Sequence, residues 1–207
     1  MDILKTPEAL QQYRDNSLYG GSSIGLVMTM GNLHEGHASL VQRSLQENTI
    51  TVVSIFVNPT QFNQSSDYES YPRTLDQDIC LLDALGVSAV FIPEESAMYP
   101  DNAHYCVDES VLSHQMEGHY RPGHFKGVLT IVMKVLLLSR ATRAYFSEKD
   151  YQQLQLVQGM VDAFFLETQI VACSFLRDKK GLALSSRNTR LTISERQLAY
   201  QFVTCLH

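Results

Sequence analysis

Two histidines three positions apart, His34 and His37, are the residues whose type and spacing most directly indicate chemistry. They lie in the stretch 30–37, between an apolar run typical of a buried strand and a run with helical spacing. A glycine-containing turn before a helix can bind phosphate, because backbone N–H groups and the helix dipole favour an anion there. The spacing predicts that both imidazoles lie on one helical face and act on one ligand.

The stretch therefore predicts a nucleoside triphosphate site, in which Gly36 leaves room for a flat base to approach the backbone. The alternative for HxGH taken alone is a helix start with two exposed histidines. The spacing argues against zinc, since the helical metalloprotease pattern is HExxH and this chain has HExH.

Two further stretches carry side chains that suit a polar or anionic substrate. In the first, an apolar run ends at Asn58, and Gln61 offers an amide with both donors and an acceptor for a hydroxyl and a carboxylate. The second is the glycine-containing loop 117–127, whose cationic and potentially cationic side chains are typical of a loop that covers an anionic ligand. A polar turn and a plain loop are the respective alternatives.

Two later stretches carry side chains that suit phosphate. Near a strand end, Lys149 could neutralise phosphate charge and Asp150 could cap its own helix. In the stretch 184–188, two hydroxyls and the Arg187 guanidinium could surround phosphate oxygens as charge develops on them. The alternative for the second stretch is a solvated loop.

Strand-like and helix-like segments alternate along the chain, which predicts an α/β fold with a doubly wound parallel sheet. Strands are predicted at 24–28, 50–57, 87–92, 144–146 and 170–175, and helices at 36–47, 75–85, 127–138, 150–163 and 194–206. Such sheets bind ligands at the carboxyl ends of their strands, so the turns near Met30 and Asn58 are the first candidates for a site.

The composition is that of an ordinary globular protein, with 207 residues, 44% hydrophobic and 18% charged. The net charge of −6 argues against a nucleic-acid-binding surface. The apolar segment 128–138 contains Lys134 and is too short to span a membrane. Four widely spaced cysteines predict reduced, mostly buried thiols in a cytoplasmic protein.

Six blocks of sequence resemble the pantothenate synthetase (pantoate–β-alanine ligase) family of the HIGH-motif nucleotidyltransferase superfamily. They are TMG-x-LHEGH at 29–37, SIFVNPTQF at 54–62, YPRTL at 71–75, RPGHFKGV at 121–128, EKDYQQL at 148–154 and GLALSSRN at 181–188. The resemblance implies a Rossmann-like ATP- and pantoate-binding domain over 1–176 and the beginning of a small C-terminal lid domain over 177–207, usually in a homodimer. It also implies that ATP and Mg²⁺ activate pantoate as an acyl-adenylate, which β-alanine converts to pantothenate.

The resemblance further implies roles for individual residues, with His37 in the position that the family assigns to a proton donor. His34, His37, Lys149 and Arg187 are the candidate catalytic residues. Gln61 and Gln153 would hold pantoate, Gln61 would also contact β-alanine, and Asn58, Tyr71 and Arg121 are secondary candidates. The expected ATP site consists of Met30, Gly31, Asn32, Leu33, His34, Glu35, Gly36, His37, Ser147, Glu148, Lys149, Asp150, Leu176, Leu184, Ser185, Ser186 and Arg187.

The chain departs from the family pattern at Met28, where proline is usual, and at Ser147, where glycine is usual. If that turn requires a positive φ, serine there costs about 1 kcal/mol. Family members commonly continue past the position of His207, so we expect a shortened lid with weak ATP affinity or loss of the adenylate by hydrolysis. Two alternatives remain: an ATP-binding remnant without turnover, and another adenylyltransferase of the superfamily.

Overall fold

A parallel six-stranded sheet forms the centre of the chain in a computed structural model that describes residues 1–205. The strands are β1 (Asp2–Leu4), β2 (Ile24–Thr29), β3 (Ile50–Ile55), β4 (Ala89–Phe91), β5 (Arg143–Ser147) and β6 (Gln169–Cys173). Their order in the sheet is β1-β4-β3-β2-β5-β6, and every pair of neighbours is parallel. The predicted fold class, an α/β fold with a doubly wound parallel sheet, is confirmed.

Helices connect the strands. They are α1 (Pro7–Tyr19), α2 (Glu35–Glu47), α3 (Ser65–Glu69), α4 (Leu75–Leu85), α5 (Glu95–Met98), α6 (Glu117–Tyr120), α7 (His124–Ser139), α8 (Tyr151–Ala163) and α9 (Ile193–Cys205). Short 3₁₀ turns lie at Pro59–Gln61, Leu112–His114, Glu148–Asp150 and Ser186–Arg190. Local sequence explains some of the ends: Thr6 caps α1 by accepting from the Ala9 N–H, and Gly86 ends α4 with a left-handed φ of 83°.

The core has two layers because successive side chains of a strand point to opposite faces of the sheet. Leu26 belongs to the cluster that packs under α1, α7 and α8, whereas its neighbour Val27 belongs to the cluster that packs under α2 and α4. Both clusters contain fully buried strand residues, so the sheet is covered on both faces.

The chain reverses its direction of winding at β2, which has β3 on one side and β5 on the other. The segments that leave the carboxyl ends of these three strands therefore meet at one edge of the sheet, which is the ligand-binding position of this architecture. They contain His34 and His37, Asn58 and Gln61, and Lys149.

The predicted strands and helices all exist; the helix 75–85 has the predicted ends, and the others differ at one or both ends. The predicted strand 50–57 ends at Ile55, the strand 87–92 is Ala89–Phe91, and the helix predicted from Gly127 begins at His124. The strand β1 and the helix α1 were not predicted. Leu206, the last residue of the predicted helix 194–206, lies outside the described residues.

Residues 177–205 follow the sheet as a turn, a 3₁₀ turn and α9. Arg177 pairs with Ala183 in an antiparallel bridge, and the Leu184 N–H donates to the Leu176 carbonyl over 2.9 Å. The division into a domain 1–176 and a lid 177–207 stays a prediction.

The cysteines and the helices of the structure bear on two predictions made from composition. Cys173 is the one buried cysteine among the described residues, since Cys80, Cys106 and Cys205 are exposed, so the prediction of mostly buried thiols was wrong. Cysteine spacing excluded a local pair but carried no information on which thiols the fold buries. Within residues 1–205, none of the helices combines the length and apolar character that a membrane crossing requires.

Candidate active site

A cavity of about 280 Å³ opens at the carboxyl ends of β2, β3 and β5. Most of the predicted site residues line it, although they come from segments far apart in the chain. They are Met30, His34, Gly36, His37, Gln61, Ser147, Lys149, Asp150, Gln153, Leu176, Leu184, Ser185, Ser186 and Arg187. The secondary candidates Asn58, Tyr71 and Arg121 line it as well.

Five residues of the predicted ATP site do not line the cavity: Gly31, Asn32, Leu33, Glu35 and Glu148. The buried carboxylate of Asp78 explains part of this result. It accepts from the backbone N–H of Asn32 over 2.9 Å and from that of Leu33 over 2.8 Å. The expectation that the N–H groups of this turn meet phosphate was therefore wrong for these two, because a carboxylate of the protein already occupies the anion position.

The two histidines form a stacked pair at the start of α2, with ring centroids 4.1 Å apart. His34 precedes the helix as its capping residue, so the pair does not share a helical face as the spacing predicted. The His34 side chain accepts from the Gly36 N–H at Nδ1 over 3.1 Å, and His37 Nδ1 accepts from the His34 N–H over 3.3 Å. Both Nδ1 atoms are acceptors, so Nε2 carries the proton on each neutral ring and is the nitrogen left for a ligand.

Burial lowers the pKa of both imidazoles below the ordinary 6.5. For His37, burial together with the neighbouring His34 and Lys149 lowers the pKa to about 3. For His34, burial and Lys149 lower the pKa, and Glu35 opposes them. Both rings are therefore neutral at pH 7, so each offers an N–H donor without a positive charge.

Gly36 lacks a side chain for a reason that the sequence did not reveal. A Cβ at this position would lie 2.8 Å from Cε1 and 2.9 Å from Nδ1 of His34. The free space is therefore filled by the imidazole of His34, and the interpretation that it admits a nucleotide base is replaced by this one. Gly36 permits the capping geometry of His34 and hence the stacked pair.

The glutamines 152 and 153 have different surroundings. Gln153 is half-buried and lines the cavity, as predicted for a pantoate ligand. Gln152 is buried, accepts from the Glu117 N–H over 3.0 Å, and donates to the carbonyls of Leu112 and Gln115 over 2.8 Å each. Gln152 therefore holds the loop before α6 in place.

Lys149 and Asp150 contact each other at the end of β5. Lys149 Nζ lies 3.2 Å from Asp150 Oδ1. The Asp150 side chain makes no capping hydrogen bond to α8, so the prediction that it caps its own helix was wrong. Ser147 has a φ of −81°, which any residue adopts, so serine in place of the usual glycine introduces no strain there.

The segment 184–190 is attached to the turn after β2 and to α3 by two pairs of contacts. Ser186 Oγ donates to the Asn32 carbonyl over 3.0 Å, and Asn32 Nδ2 donates to the Ser186 carbonyl over 3.0 Å. Arg187 and Arg190 both pair with Asp67, with N···O distances of 3.0 and 2.9 Å. The predicted phosphate ligand Arg187 therefore lies at the cavity and shares one carboxylate, that of Asp67, with Arg190.

The stretch 117–127, predicted to be a loop, contains α6 and the first turn of α7. It contributes two of its four cationic or potentially cationic side chains to the cavity, Arg121 and His124. His119 and Lys126 are exposed to solvent. His124 Nδ1 lies 2.8 Å from the Gln61 carbonyl, and Arg121 Nη1 lies 3.2 Å from His124 Nε2. Because Arg121 can only donate, Nδ1 of His124 carries the proton and donates to Gln61, in keeping with the pKa of this ring, which burial lowers.

Sequence reasoning missed Asp78 and Tyr99. Asp78 was indistinguishable from the other acidic residues near the start of α4, and its burial depends on the turn 31–33 folding over it. Tyr99 follows a four-residue helix in a region with no periodic pattern, and its phenol reaches Asn58 across 41 positions of sequence. No local sequence signal could have shown that Tyr99 contacts Asn58.

The sheet, its switch point and the cavity define an α/β protein that binds a ligand at the carboxyl edge of β2, β3 and β5. Comparisons with known proteins identify the family. The model of the family described as pantoate-beta-alanine ligase matches residues 2–207. The chain therefore belongs to the pantoate-beta-alanine ligase family, as the sequence blocks predicted, and the family is one of ligases.

Individual relatives cover nearly the whole chain. It is 52% identical over 206 residues to a pantothenate synthetase of Coxiella burnetii, which covers 99% of this chain and 80% of the relative. It is 54% identical over 192 residues to that of Legionella pneumophila, with 93% and 76% covered. The crystal structure of the Francisella tularensis pantoate-beta-alanine ligase with beta-gamma ATP and beta-alanine superimposes with a TM-score of 0.95, at 42% identity, over 99% of this chain and 78% of that one. The Thermus thermophilus pantothenate synthetase superimposes with a TM-score of 0.92, at 41% identity, over 99% and 72%.

Proposed function

We propose that the chain joins (R)-pantoate to β-alanine to form pantothenate, with ATP activating pantoate as an acyl-adenylate and AMP and pyrophosphate as the other products. The observation that carries this proposal is that one cavity brings together both candidate pantoate ligands, Gln61 and Gln153, and the candidate phosphate ligands Lys149 and Arg187. Family membership and the beta-gamma ATP and beta-alanine in the Francisella relative support it.

In the first step, a pantoate carboxylate oxygen bonds to the α-phosphorus of ATP. The bond from that phosphorus to the bridging oxygen breaks, and pyrophosphate leaves with the electron pair. The nucleophile belongs to the substrate, so the protein's task is alignment and stabilisation of charge. Lys149 and Arg187 offer positive charge to the phosphates, while the Nε2–H groups of His34 and His37 donate to oxygens on which charge develops.

The resemblance places His37 where the family has a proton donor, and the surroundings of the ring indicate which kind of donor it is. A ring with a pKa near 3 is neutral at pH 7, so we propose that His37 donates a hydrogen bond and keeps its proton. In the second step, the amine of β-alanine bonds to the acyl carbon, the bond to the AMP oxygen breaks, and the amine loses its proton to water.

The proposal includes Mg²⁺ bound through the phosphates of ATP, since Mg²⁺ in nucleotide sites is held largely by substrate phosphates and water. Within residues 1–205, no group of three or more His, Cys, Asp or Glu side chains is arranged to hold a metal ion. The homodimer implied by the resemblance and the cytoplasmic location expected from the cysteines stay predictions.

The test is pyrophosphate release from Mg²⁺–ATP with pantoate, measured with and without β-alanine. We expect release that requires pantoate, and pantothenate when β-alanine is added. His37→Ala is expected to lower the rate by about 100-fold, the typical effect of removing one donor to developing charge. His104→Ala, an exposed histidine that does not line the cavity, is the control and should keep the wild-type rate.

Three results would contradict the proposal. ATP binding without release would indicate a nucleotide-binding remnant. Release with a nucleotide or phosphopantetheine in place of pantoate would indicate another adenylyltransferase. Equal rates in wild type and His37→Ala would remove His37 from the reaction.

A further inference from the structure

We propose that Tyr99 is a positioning residue that acts through Asn58 to fix the side-chain amide of Gln61 with its N–H donors toward the cavity. The inference rests on the proposed function in one respect, namely that Gln61 holds pantoate. Tyr99 itself does not line the cavity.

Tyr99 is fixed in its own position. Its side chain is 6% exposed, and Lys134 Nζ lies 4.4 Å from the ring centroid while donating to the Met98 carbonyl over 2.6 Å. The ring of Phe56 packs beside it, with centroids 6.4 Å apart. The phenol OH donates to Asn58 Oδ1 over 2.7 Å.

The surroundings of Asn58 determine which way its amide faces. Asn58 is 1% exposed and lies against the Gly127 carbonyl at 3.1 Å. A carbonyl can only accept, so the atom of Asn58 that faces it is Nδ2. The other atom, Oδ1, faces the hydroxyls of Tyr99 and Thr60, the latter at 3.0 Å, and both hydroxyls can donate. Each end of the amide thus has the partner that it requires.

The orientation of Asn58 then determines that of Gln61. One N–H of Asn58 Nδ2 donates to Gly127, and the other donates to Gln61 Oε1 over 3.1 Å. Gln61 therefore presents Oε1 to Asn58, and its Nε2 lies on the opposite side, 3.1 Å from Met30 Sδ. A sulfur is a weak acceptor, so an N–H of Gln61 is available to an oxygen of a ligand.

Where the cavity faces Gln61 Nε2, it therefore favours ligand groups that accept hydrogen bonds. The carboxylate and hydroxyl oxygens of pantoate are acceptors, whereas an ammonium group can only donate. If the Gln61 amide turned over, its oxygen would face the pantoate carboxylate, which can only accept, and repel it. The Gly127 carbonyl, which can only accept, sets the orientation of Asn58, and the hydroxyls of Tyr99 and Thr60 stabilise that orientation by donating to Oδ1.

The experiment compares the steady-state kinetics of wild type, Tyr99→Phe, Thr60→Val and the double variant. Tyr99→Phe removes one hydroxyl and keeps the ring, and we expect it to raise the KM for pantoate by about 5-fold, the effect of one buried hydrogen bond. The double variant removes both donors to Asn58 Oδ1, so its KM for pantoate should rise by about 30-fold or more. The KM for ATP should change by less than about twofold in each variant.

Tyr145→Phe is the matched control. Tyr145 is equally buried, and its OH bonds Glu47 over 2.9 Å and Asn48 over 2.7 Å, but it does not line the cavity. We expect it to lower the thermal stability as Tyr99→Phe does and to leave the KM for pantoate unchanged. Pantoate binding to wild type and Tyr99→Phe, measured by calorimetry with no ATP present, gives a second readout that does not require turnover.

The outcomes separate this inference from the proposed function. Weaker pantoate binding in Tyr99→Phe supports the positioning role even if the wild type forms no pantothenate, in which case the proposed function alone fails. An unchanged affinity and KM for pantoate in the double variant overturns the inference while the function stands. A parallel rise in the KM values for pantoate and ATP, or an equal rise in Tyr145→Phe, would show a general structural effect and overturn it as well. A wild type that binds no pantoate overturns both.

Discussion

At the scale of single residues, the histidine pair shows how side-chain chemistry depends on local structure. The identity and spacing of His34 and His37 were sufficient to predict a ligand site. They could not show that the Nδ1 atoms bind backbone N–H groups, because this depends on His34 preceding the helix. The neutral state of both rings follows from burial and from Lys149, a residue more than a hundred positions away.

The pKa of His37 predicts a pH dependence of folding. The unfolded chain has the ordinary value near 6.5 and the folded chain about 3, so between these values the unfolded state binds more protons. The contribution of His37 to stability is therefore complete above pH 6.5 and declines as the pH falls toward 3. Between pH 7.5 and 5.5, we expect the free energy of unfolding of wild type to fall by about 1 kcal/mol more than that of His37→Asn.

Urea denaturation at the two pH values measures this difference. Asparagine can accept from the His34 N–H but does not titrate, and the other histidines remain in both proteins. The same pH dependence in wild type and variant would mean that His37 has an ordinary pKa in the folded chain, and with it that the ring can carry a proton at the site.

At the scale of elements, the close approach of α7 to the 3₁₀ turn Pro59–Gln61 positions Gln61. A Cβ on Gly127 would lie 2.4 Å from the Thr60 carbonyl oxygen and 2.7 Å from the Gln61 nitrogen, both backbone atoms that cannot rotate away. We expect Gly127→Ala to lower the free energy of unfolding by about 1–3 kcal/mol, as overpacking does, and to raise the KM for pantoate because the turn must move.

Gly159→Ala is the matched control for this substitution. Gly159 lies in α8, and beyond its chain neighbours and the adjacent backbone of its own helix no atom lies within 4 Å of the position of its Cβ. Alanine there should raise the free energy of unfolding by about 0.5–1 kcal/mol through the higher helix propensity and leave the kinetics unchanged. If Gly127→Ala behaves like Gly159→Ala, the turn is not held against α7 as described.

Most predicted elements lie within two residues of their observed ends, because their own residues carry a recognisable apolar pattern. The strands 24–28 and 50–57 and the helices 36–47 and 75–85 have clear apolar patterns and were placed within two residues of their observed ends. The strand β1 has three residues and is held by pairing with β4, which a local pattern cannot show. The contacts between Tyr99, Asn58 and Gly127 could likewise not be predicted from a local pattern, since each partner comes from a different element.

At the scale of the whole molecule, the candidate site bridges segments that are close only in the folded chain. The segments 30–37, 58–61, 147–153 and 184–187 each contribute residues to one cavity, and the last segment is held in place through Asn32 and Asp67. A ligand that contacts these segments together binds the folded state and not the unfolded one, so it must stabilise the entire fold.

Mg²⁺–ATP is therefore expected to raise the melting temperature of the chain. At an ATP concentration 100 times its Kd, the added stability is about 2.7 kcal/mol, which corresponds to a rise of roughly 5–10 °C for a chain of this size.

Arg187→Gln should weaken ATP binding by about tenfold or more, because it removes a charge-assisted contact with phosphate, and should reduce the rise to about half. Arg190→Gln is the control from the same 3₁₀ turn: Arg190 shares Asp67 with Arg187 but does not line the cavity, so its variant should keep the full rise. Thermal unfolding followed by circular dichroism with and without Mg²⁺–ATP measures these shifts. An equal rise in all three proteins would place Arg187 outside the phosphate site, and an equal loss in both variants would show that the attachment of the segment to Asp67, and not the charge of Arg187, supports nucleotide binding.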